Sequence, residues 1–132
     1  MMKLDTKCVR DVLLFIQEKS ELNADLVPEG ISLEDFSESD LRKKYSEKEI
    51  VYTLKKLKEA NFIVAGFQYA SNTLYHLEVS ELTYEGHQFL TSISNSKIFE
   101  KVMDEIDELG SGVTLDIVKA LATKILKDKL GL

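Results

Sequence analysis

The apolar residues at the start of the chain recur at the spacing of one helical face. Asp5 is placed to cap the free amides of such a helix, which we expect to run to about Lys19. The inward face of this helix is formed by four aliphatic residues, Val9, Val12, Leu13 and Ile16. The following stretch, residues 20–30, is rich in turn-forming and acidic residues and therefore predicts a connection.

Residues 31–41 show a less regular pattern of apolar and polar positions. Ser32, Ser37 and Ser39 are rival helix caps within this stretch. The pattern leaves two alternatives open, one short helix or two separate helical turns.

A stronger signal begins at Ser46. Ser46 and Glu49 have the spacing of a capping box, in which the hydroxyl accepts from an amide one turn on and the carboxylate reaches back to the Ser46 amide. We predict a helix from about Glu47 to Ala60, ended by Asn61 in the left-handed conformation. Its inner face is apolar and its outer face is polar: Ile50, Leu54 and Leu57 against Lys48, Tyr52, Lys55, Lys56 and Glu59.

Two extended runs and another helix follow. Residues 62–69 and 74–79 are rich in β-branched and aromatic residues, and the turn formers Ser71 and Asn72 lie between them. This pattern predicts a β-hairpin. Thr83 is expected to cap a helix that runs to about Ile93, with Leu82 packed back on its first turn.

Two more helices are predicted at the end of the chain. The first begins near Lys97 and ends at the glycines of residues 110–112, and the second is capped by Thr114 and runs to about Leu130. Apolar side chains cover roughly half the circumference of the last helix, more than a helix on one surface usually needs. Either this helix is wedged between two layers of its own chain, or it contacts a second subunit, in which case the contact residues are Ile117, Leu121 and Ile125.

The order of these elements predicts a mostly α fold with a small β-hairpin. We interpret residues 1–96 as a winged helix-turn-helix and residues 97–132 as a C-terminal extension of two helices. A chain of 132 residues fits a single domain that contains both parts.

The charge of the chain is unevenly distributed. Its net charge is -6, yet residues 41–60 carry seven basic side chains against three acidic ones, and residues 61–96 carry no Lys or Arg. The candidates for binding nucleic acid lie in this basic segment: Arg42, Lys43, Lys44, Lys48, Tyr52, Lys55 and Lys56. The alternative is a solvated helix face on which Glu47, Glu49 and Glu59 are ordinary intrahelical partners of the lysines.

Other features of the composition exclude several classes of protein. Neither an apolar run of about 18 residues nor a basic segment followed by an apolar core occurs, so we expect a cytoplasmic protein without a membrane partner. Cys8, His76 and His87 have no spacing typical of a metal site. We therefore predict no catalytic residue, no cofactor and no metal ligand.

Three segments of the chain are distinctive: MKLDTKCVRDVLLFI at the start, YSEKEIVYTLKKLKEANFI with LTYEGHQFL in the middle, and SGVTLDIVKALATKILKDKLGL at the end. They resemble an uncharacterised protein family of bacteria and their prophages, a domain of unknown function. This resemblance covers most of the chain and implies no known activity.

The central part also looks like the general winged-helix pattern, in which Gly is usual where this chain has Asn61. In winged-helix DNA binders the third helix lies in the major groove. The resemblance implies that this helix, through Glu47, Lys48, Val51, Tyr52 and Lys55, lies near bases or phosphates, with residues 42–44 on the adjacent backbone.

The predicted wing fits DNA less well than the helix does. Its tip, residues 69–73, has no cationic side chain that would release counterions from DNA, whereas exposed aromatic residues such as Tyr69 and Tyr75 suit protein contact. We expect a non-enzymatic, DNA-associated regulator that binds duplex DNA and forms a homodimer through its C-terminal helices. The alternative is a protein-interaction or oligomerisation module that uses Tyr69, Tyr75, Ile117, Leu121 and Ile125.

Overall fold

The computed structural model describes residues 2–110 and 112–132. Within these residues the chain forms α1 (Thr6–Lys19), β1 (Ile31–Ser32), α2 (Leu33–Ser37), α3 (Glu47–Glu59), β2 (Ile63–Ala70), β3 (Thr73–Leu82), α4 (Tyr84–Ser94), α5 (Ser96–Leu109) and α6 (Leu115–Leu130). A 3-10 turn, Asp40–Lys43, connects α2 to α3. The prediction of a mostly helical chain with a small β element is confirmed.

Side-chain caps set the helix starts where the sequence predicts them. An Asp5 carboxylate oxygen accepts from the first amides of α1, at 2.9 and 3.3 Å. At the start of α3, the Ser46 hydroxyl accepts from the Glu49 amide at 3.1 Å, and the Glu49 carboxylate accepts from the Ser46 amide at 3.2 Å. Thr83 and Thr114 cap α4 and α6. These four starts therefore follow from local chemistry.

The three rival serines have separate roles. Ser32 caps α2 and Ser39 caps the 3-10 turn, so this stretch forms two short helical elements. The Ser37 hydroxyl donates to a Glu47 carboxylate oxygen at 2.8 Å, which ties the end of α2 to the start of α3. Of the two alternatives left open by the sequence, the structure has the second.

The sheet has a third strand that the sequence did not predict. β1 pairs antiparallel with β3, Ile31 opposite Val79, and the strand order is β1-β3-β2. The predicted hairpin joins β2 and β3 through Ser71 and Asn72, both at positive φ (52° and 65°). A strand of two residues is too short for alternating polarity to be visible in the sequence. It forms because of its hydrogen-bonded pairing with β3.

The core lies between α1, α3, α4 and the sheet. The predicted apolar faces of α1 and α3 are fully buried there. Phe62, at the end of the loop after α3, stacks on Phe89 of α4 with 4.8 Å between ring centroids. The sheet and α3 are thus fixed to the same core as α4.

α5 and α6 pack on α4 and on each other. Leu115, Val118 and Ala122 of α6 are buried, and the stripe of Ile117, Leu121 and Ile125 is partly buried, the last two of its residues packed against the same core. Contacts within the chain thus account for much of the apolar surface of α6. Across residues 2–110 and 112–132, no helix combines the length and the apolar character needed to span a membrane.

Candidate functional site

The orientation of α3 determines which of its side chains meet solvent. Ile50, Leu54 and Leu57 are buried beneath the helix, as the sequence predicts. Lys48 and Lys55, seven positions apart and hence on the same side of a helix, lie on the opposite, exposed side. The helix therefore presents cationic groups outward from a rigid apolar base.

Several basic residues of this segment are paired with carboxylates. The Lys43 ammonium lies 3.1 Å from Asp40, and the Lys44 ammonium lies 3.7 Å from Asp11 of α1. Exposed pairs of this kind contribute little to stability, but they reduce the positive charge that the segment presents to a ligand. Lys43 and Lys44 are thus weaker candidates for phosphate contact than the sequence alone suggests.

Other cations of this segment are free of carboxylates. Among residues 2–110 and 112–132, no carboxylate lies within 4.0 Å of the charged groups of Arg42, Lys48, Lys55 or Lys58. We call the three lysines of this set, Lys48, Lys55 and Lys58, the α3 ridge. The α3 ridge is the strongest unneutralised positive feature of the helix.

The hairpin lies against the α3 ridge. The Lys55 ammonium is 5.3 Å from the centre of the Tyr69 ring, and the Lys58 ammonium is 5.4 Å from the centre of the Phe67 ring. Both distances are within the range of a cation–π contact. Because Tyr69 is 51% exposed, its ring forms part of the same solvent-facing surface as Lys55. The two candidate surfaces of the sequence, basic helix and aromatic hairpin, are joined here.

Tyr75 makes a different contact from Tyr69. Its hydroxyl lies 3.1 Å from the Gln68 amide oxygen, to which it donates, and its side chain is 63% exposed. A shift of strand register between Gln68 and Tyr69 lets the ladder skip Tyr75, because Gln68 pairs with His76 and Tyr69 with Leu74. The structure therefore brings only one of the two predicted hairpin tyrosines to the α3 ridge.

Tyr52 and Lys56 lie on another flank of α3. They line an open groove of about 1230 Å³ between the start of α1, α3 and the connection from α5 to α6. The Lys56 ammonium pairs with the Glu59 carboxylate at 3.0 Å, and this hydrogen bond raises the pKa of Lys56 above its ordinary value. The structure thus separates these two predicted site residues from Lys48 and Lys55.

Lys58 is a further candidate, which the sequence prediction leaves out. On a helical projection it falls between the inner face that holds Ile50 and Leu54 and the outer face that holds Lys55. In the structure it is exposed and reaches the hairpin. The signal in the sequence is its position three residues after Lys55, which places the two lysines on the same flank of the helix.

Two titratable groups near α3, Cys8 and Tyr45, have structural roles. Burial raises the pKa of the Cys8 thiol to about 11, so this thiol is neutral and unreactive near pH 7. The Tyr45 hydroxyl donates to an Asp11 carboxylate oxygen at 2.7 Å, and burial is the main cause that raises the pKa of Tyr45. In the part of the chain described, no three His, Cys, Asp or Glu side chains are grouped to hold a metal ion.

Comparison with known proteins gives a family. Residues 3–113 match the family described as "Hypothetical protein (DUF2513)". The chain belongs to this family. The prediction of an uncharacterised domain-of-unknown-function family is therefore confirmed, and the part of the chain matched includes the α3 ridge and Tyr69 but ends before α6.

The chain is also similar to a protein of Haemophilus influenzae described as "Uncharacterized protein". The two are 26% identical over 129 residues, which cover 98% of this chain and 99% of the relative. No solved structure matches the chain.

Proposed function

We propose that this DUF2513 chain is a non-enzymatic DNA-associated regulator of bacterial or prophage origin, acting in the cytoplasm, that binds duplex DNA through the α3 ridge. The observation that carries the proposal is the free charge of Lys48, Lys55 and Lys58 on one exposed side of a helix. Cations without carboxylate partners can neutralise phosphates and release the counterions that supply much of DNA affinity.

The order and pairing of the elements support a winged helix-turn-helix interpretation. α2, the 3-10 turn and α3 precede a hairpin, and the hairpin pairs with β1 in the order β1-β3-β2. In helix-turn-helix proteins the second helix of the motif enters the major groove. α3 has this position in the chain, and its exposed side is the side that carries the α3 ridge.

The size of the charged surface indicates that a single copy binds DNA weakly. With Arg42 on the adjacent turn, the α3 ridge offers about three or four phosphate contacts, compared with about ten for a strong repressor. A homodimer would double this number. We propose that the half-exposed stripe of Ile117, Leu121 and Ile125 on α6 contributes to such a dimer.

The test is titration of fluorescent random-sequence duplex DNA with the purified protein at low salt. The variant Lys48→Glu with Lys55→Glu should lose binding because it reverses two of the three charges of the α3 ridge. A matched control, Lys97→Glu with Lys101→Glu, makes the same change of net charge on exposed positions of α5. It should bind within a few-fold of the parent protein.

Two results would contradict the proposal. One is an absence of duplex binding by the parent protein at low salt. The other is an equal loss in the α3 and α5 variants, which would mean that net charge and not the α3 ridge governs the association. Circular dichroism and unfolding midpoints of all variants establish that the fold is intact.

The exposure of Tyr75 favours a second candidate function, a protein-interaction module on the same scaffold. This ring is 63% exposed on a hairpin without Lys or Arg, and aromatic side chains of this kind are enriched at protein interfaces. This function predicts that the chain binds a protein of its host. The variant Lys48→Glu with Lys55→Glu should still bind that protein, and Tyr75→Ala should not. Equal loss of that protein by both variants would count against it.

A further inference from the structure

The loop between α1 and β1 exposes three aliphatic side chains. Leu22, Leu26 and Val27 are 59%, 78% and 54% exposed, and none of them belongs to the core. Single exposed aliphatic residues are ordinary, but three within six residues form a local apolar patch. We call residues 21–29 the apolar loop.

The apolar loop is an ordered miniature hairpin. The Glu29 amide donates to the Glu21 carbonyl at 2.8 Å, and Leu22 forms a bridge with Pro28. At the tip, the Asn23 side-chain oxygen accepts from the amides of Asp25 and Val27, at 2.9 and 3.1 Å. The backbone of the loop is therefore held by hydrogen bonds, so a partner that binds the loop has less backbone freedom to restrict.

Leu26 adopts a backbone conformation that is unfavourable for its residue type. Its φ is 63°, in the left-handed region where Gly or Asn is normally found. The turn of the miniature hairpin holds this conformation, because the Leu26 amide donates to the Asn23 carbonyl at 2.9 Å and the Asn23 amide donates to the Val27 carbonyl at 2.8 Å. Gly or Asn would fit this turn with less strain, so an exposed Leu here favours a contact of its side chain outside the chain.

The charge around the loop specifies the partner. Residues 20–41 contain no Lys or Arg, and Glu21, Asp25 and Glu29 flank the aliphatic residues. This combination fits a partner surface on which cationic side chains surround an apolar centre, and it disfavours an anionic lipid surface. The α3 ridge has these properties, because the exposed part of Tyr69 and the half-buried Val51 accompany its lysines.

We propose that the apolar loop of one copy docks on the α3 ridge of a second copy. Leu26 and Val27 then cover Tyr69 and Val51, and the loop carboxylates face the ridge lysines. The docking itself depends only on the two surfaces. Its regulatory consequence, that self-association excludes duplex DNA from the α3 ridge, rests on the proposed function.

The contact joins two different surfaces, so each added copy leaves one of each surface free. Such head-to-tail association does not stop at a dimer unless it closes into a ring. A dimer through α6, by contrast, joins the same surface of both copies and ends at two.

Sedimentation velocity over a range of protein concentrations tests the docking. At low salt the average mass should rise with concentration, and at about 0.5 M salt it should fall back because exposed charges are screened. Leu26→Gly with Val27→Ser should weaken association by about tenfold or more, since it removes two aliphatic side chains that the proposed contact would bury. Because Gly accepts positive φ freely, this variant should fold at least as well as the parent.

Mixing two defective variants gives the sharper test. The loop variant keeps the α3 ridge, and Lys48→Glu with Lys55→Glu keeps the apolar loop. Neither variant alone should exceed the mass of the proposed α6 dimer, but an equimolar mixture should form larger species. The matched control Lys97→Glu with Lys101→Glu, on exposed positions of α5, should leave self-association unchanged.

Three results would overturn the docking: a parent protein that never exceeds a dimer, an association that the loop variant does not weaken, or a mixture that is no larger than either variant alone. The regulatory consequence has a separate readout. If the parent protein associates but never binds duplex DNA, the docking stands and the proposed function fails. If the protein binds duplex DNA, added DNA should dissociate the assemblies into smaller species. Assemblies that bind DNA without any change in size would contradict the competition for the α3 ridge.

Discussion

The Lys55 ammonium of α3 lies 5.3 Å from the centre of the Tyr69 ring on β2. This contact joins a basic helix to an aromatic hairpin, and it gives Tyr69 a role in fixing the direction of Lys55. The lysine stem carries several rotatable bonds, so a ring beside its ammonium reduces the conformations that binding must otherwise restrict. The basic surface of α3 and the aromatic surface of the hairpin are therefore continuous at this point.

The Lys55–Tyr69 contact predicts unequal effects of two substitutions at Tyr69. Tyr69→Ala should weaken duplex binding by about two- to five-fold, because the Lys55 side chain regains conformations that DNA contact must then restrict. Tyr69→Phe should bind nearly as the parent does, because the ring remains. Fluorescence anisotropy at low salt measures both.

Tyr75→Ala is the matched control for this prediction, since Tyr75 contacts Gln68 and not the α3 ridge. It should leave duplex affinity unchanged. If Tyr75→Ala and Tyr69→Ala lose affinity equally, the hairpin as a whole is responsible and the Lys55–Tyr69 contact is not.

The salt dependence of binding should count the cations of the α3 ridge. With three ridge lysines on phosphates, the logarithm of the affinity should fall with the logarithm of salt concentration at a slope of about -3. Lys58→Gln should reduce the steepness of this slope by about one. Lys101→Gln, at an exposed position of α5, should leave the slope as it was; an equal change in both variants would show that the slope does not report on this site.

Much of the fold follows from local sequence signals. Asp5, Ser46 and Thr83 begin their helices because a side-chain oxygen two or three residues before a free amide can satisfy it wherever the helix packs. The buried faces of α1 and α3 likewise follow from spacing alone. These features depend on neighbours in sequence, which is why the sequence predicts them.

The features that depend on distant parts of the chain were not predictable in this way. β1 exists through its pairing with β3, and the contact of Lys58 with Phe67 depends on the angle at which β2 leaves α3. The sequence predicts Lys56 on the same surface as Lys55. In the structure Lys56 instead lines the groove beside α1 and pairs with the Glu59 carboxylate. A helical projection gives the outward direction of a side chain but not what lies beside it.

Gly86 should be intolerant of a methyl group. A Cβ at this position in the first turn of α4 would overlap the carbonyl oxygen of Phe62. That oxygen is fixed, because it accepts from the Thr83 amide at 3.0 Å, and the Thr83 hydroxyl donates to the Asn61 carbonyl at 2.6 Å. Gly86→Ala should therefore lower the free energy of unfolding by about 1–3 kcal/mol, although Ala is the better helix former.

Urea unfolding measures the effect of Gly86→Ala. His87→Ala, at the next and exposed position of α4, is the control and should be neutral or slightly stabilising. If Gly86→Ala is as stable as the parent, the close packing of α4 on Phe62 is not present in solution.

Asn61 ends α3 with a left-handed residue, at φ 62°. The Phe62 amide donates back to the Leu57 carbonyl at 2.9 Å, a pattern that requires this conformation. Asn61→Ala should cost about 1 kcal/mol of unfolding free energy because of its Cβ clash. Asn61→Gly should be neutral or stabilising, and thermal unfolding of the two variants should give midpoints in that order; the reverse order would contradict the helix end described here.

Cys8 should make the protein less stable at alkaline pH. Burial raises the pKa of this thiol in the folded state from 9.0 to about 11, so the unfolded chain loses the proton first. The stabilising effect is complete below pH 9.0 and is lost as the pH rises towards about 11. Urea unfolding at about pH 8 and about pH 10.5 should therefore show a decrease in stability that is smaller in Cys8→Ala. Tyr45, whose pKa is also raised, accounts for part of the decrease that remains, and Tyr45→Phe should remove that part. An equal decrease in the parent and in Cys8→Ala would mean that the thiol titrates in the folded protein as it does in water.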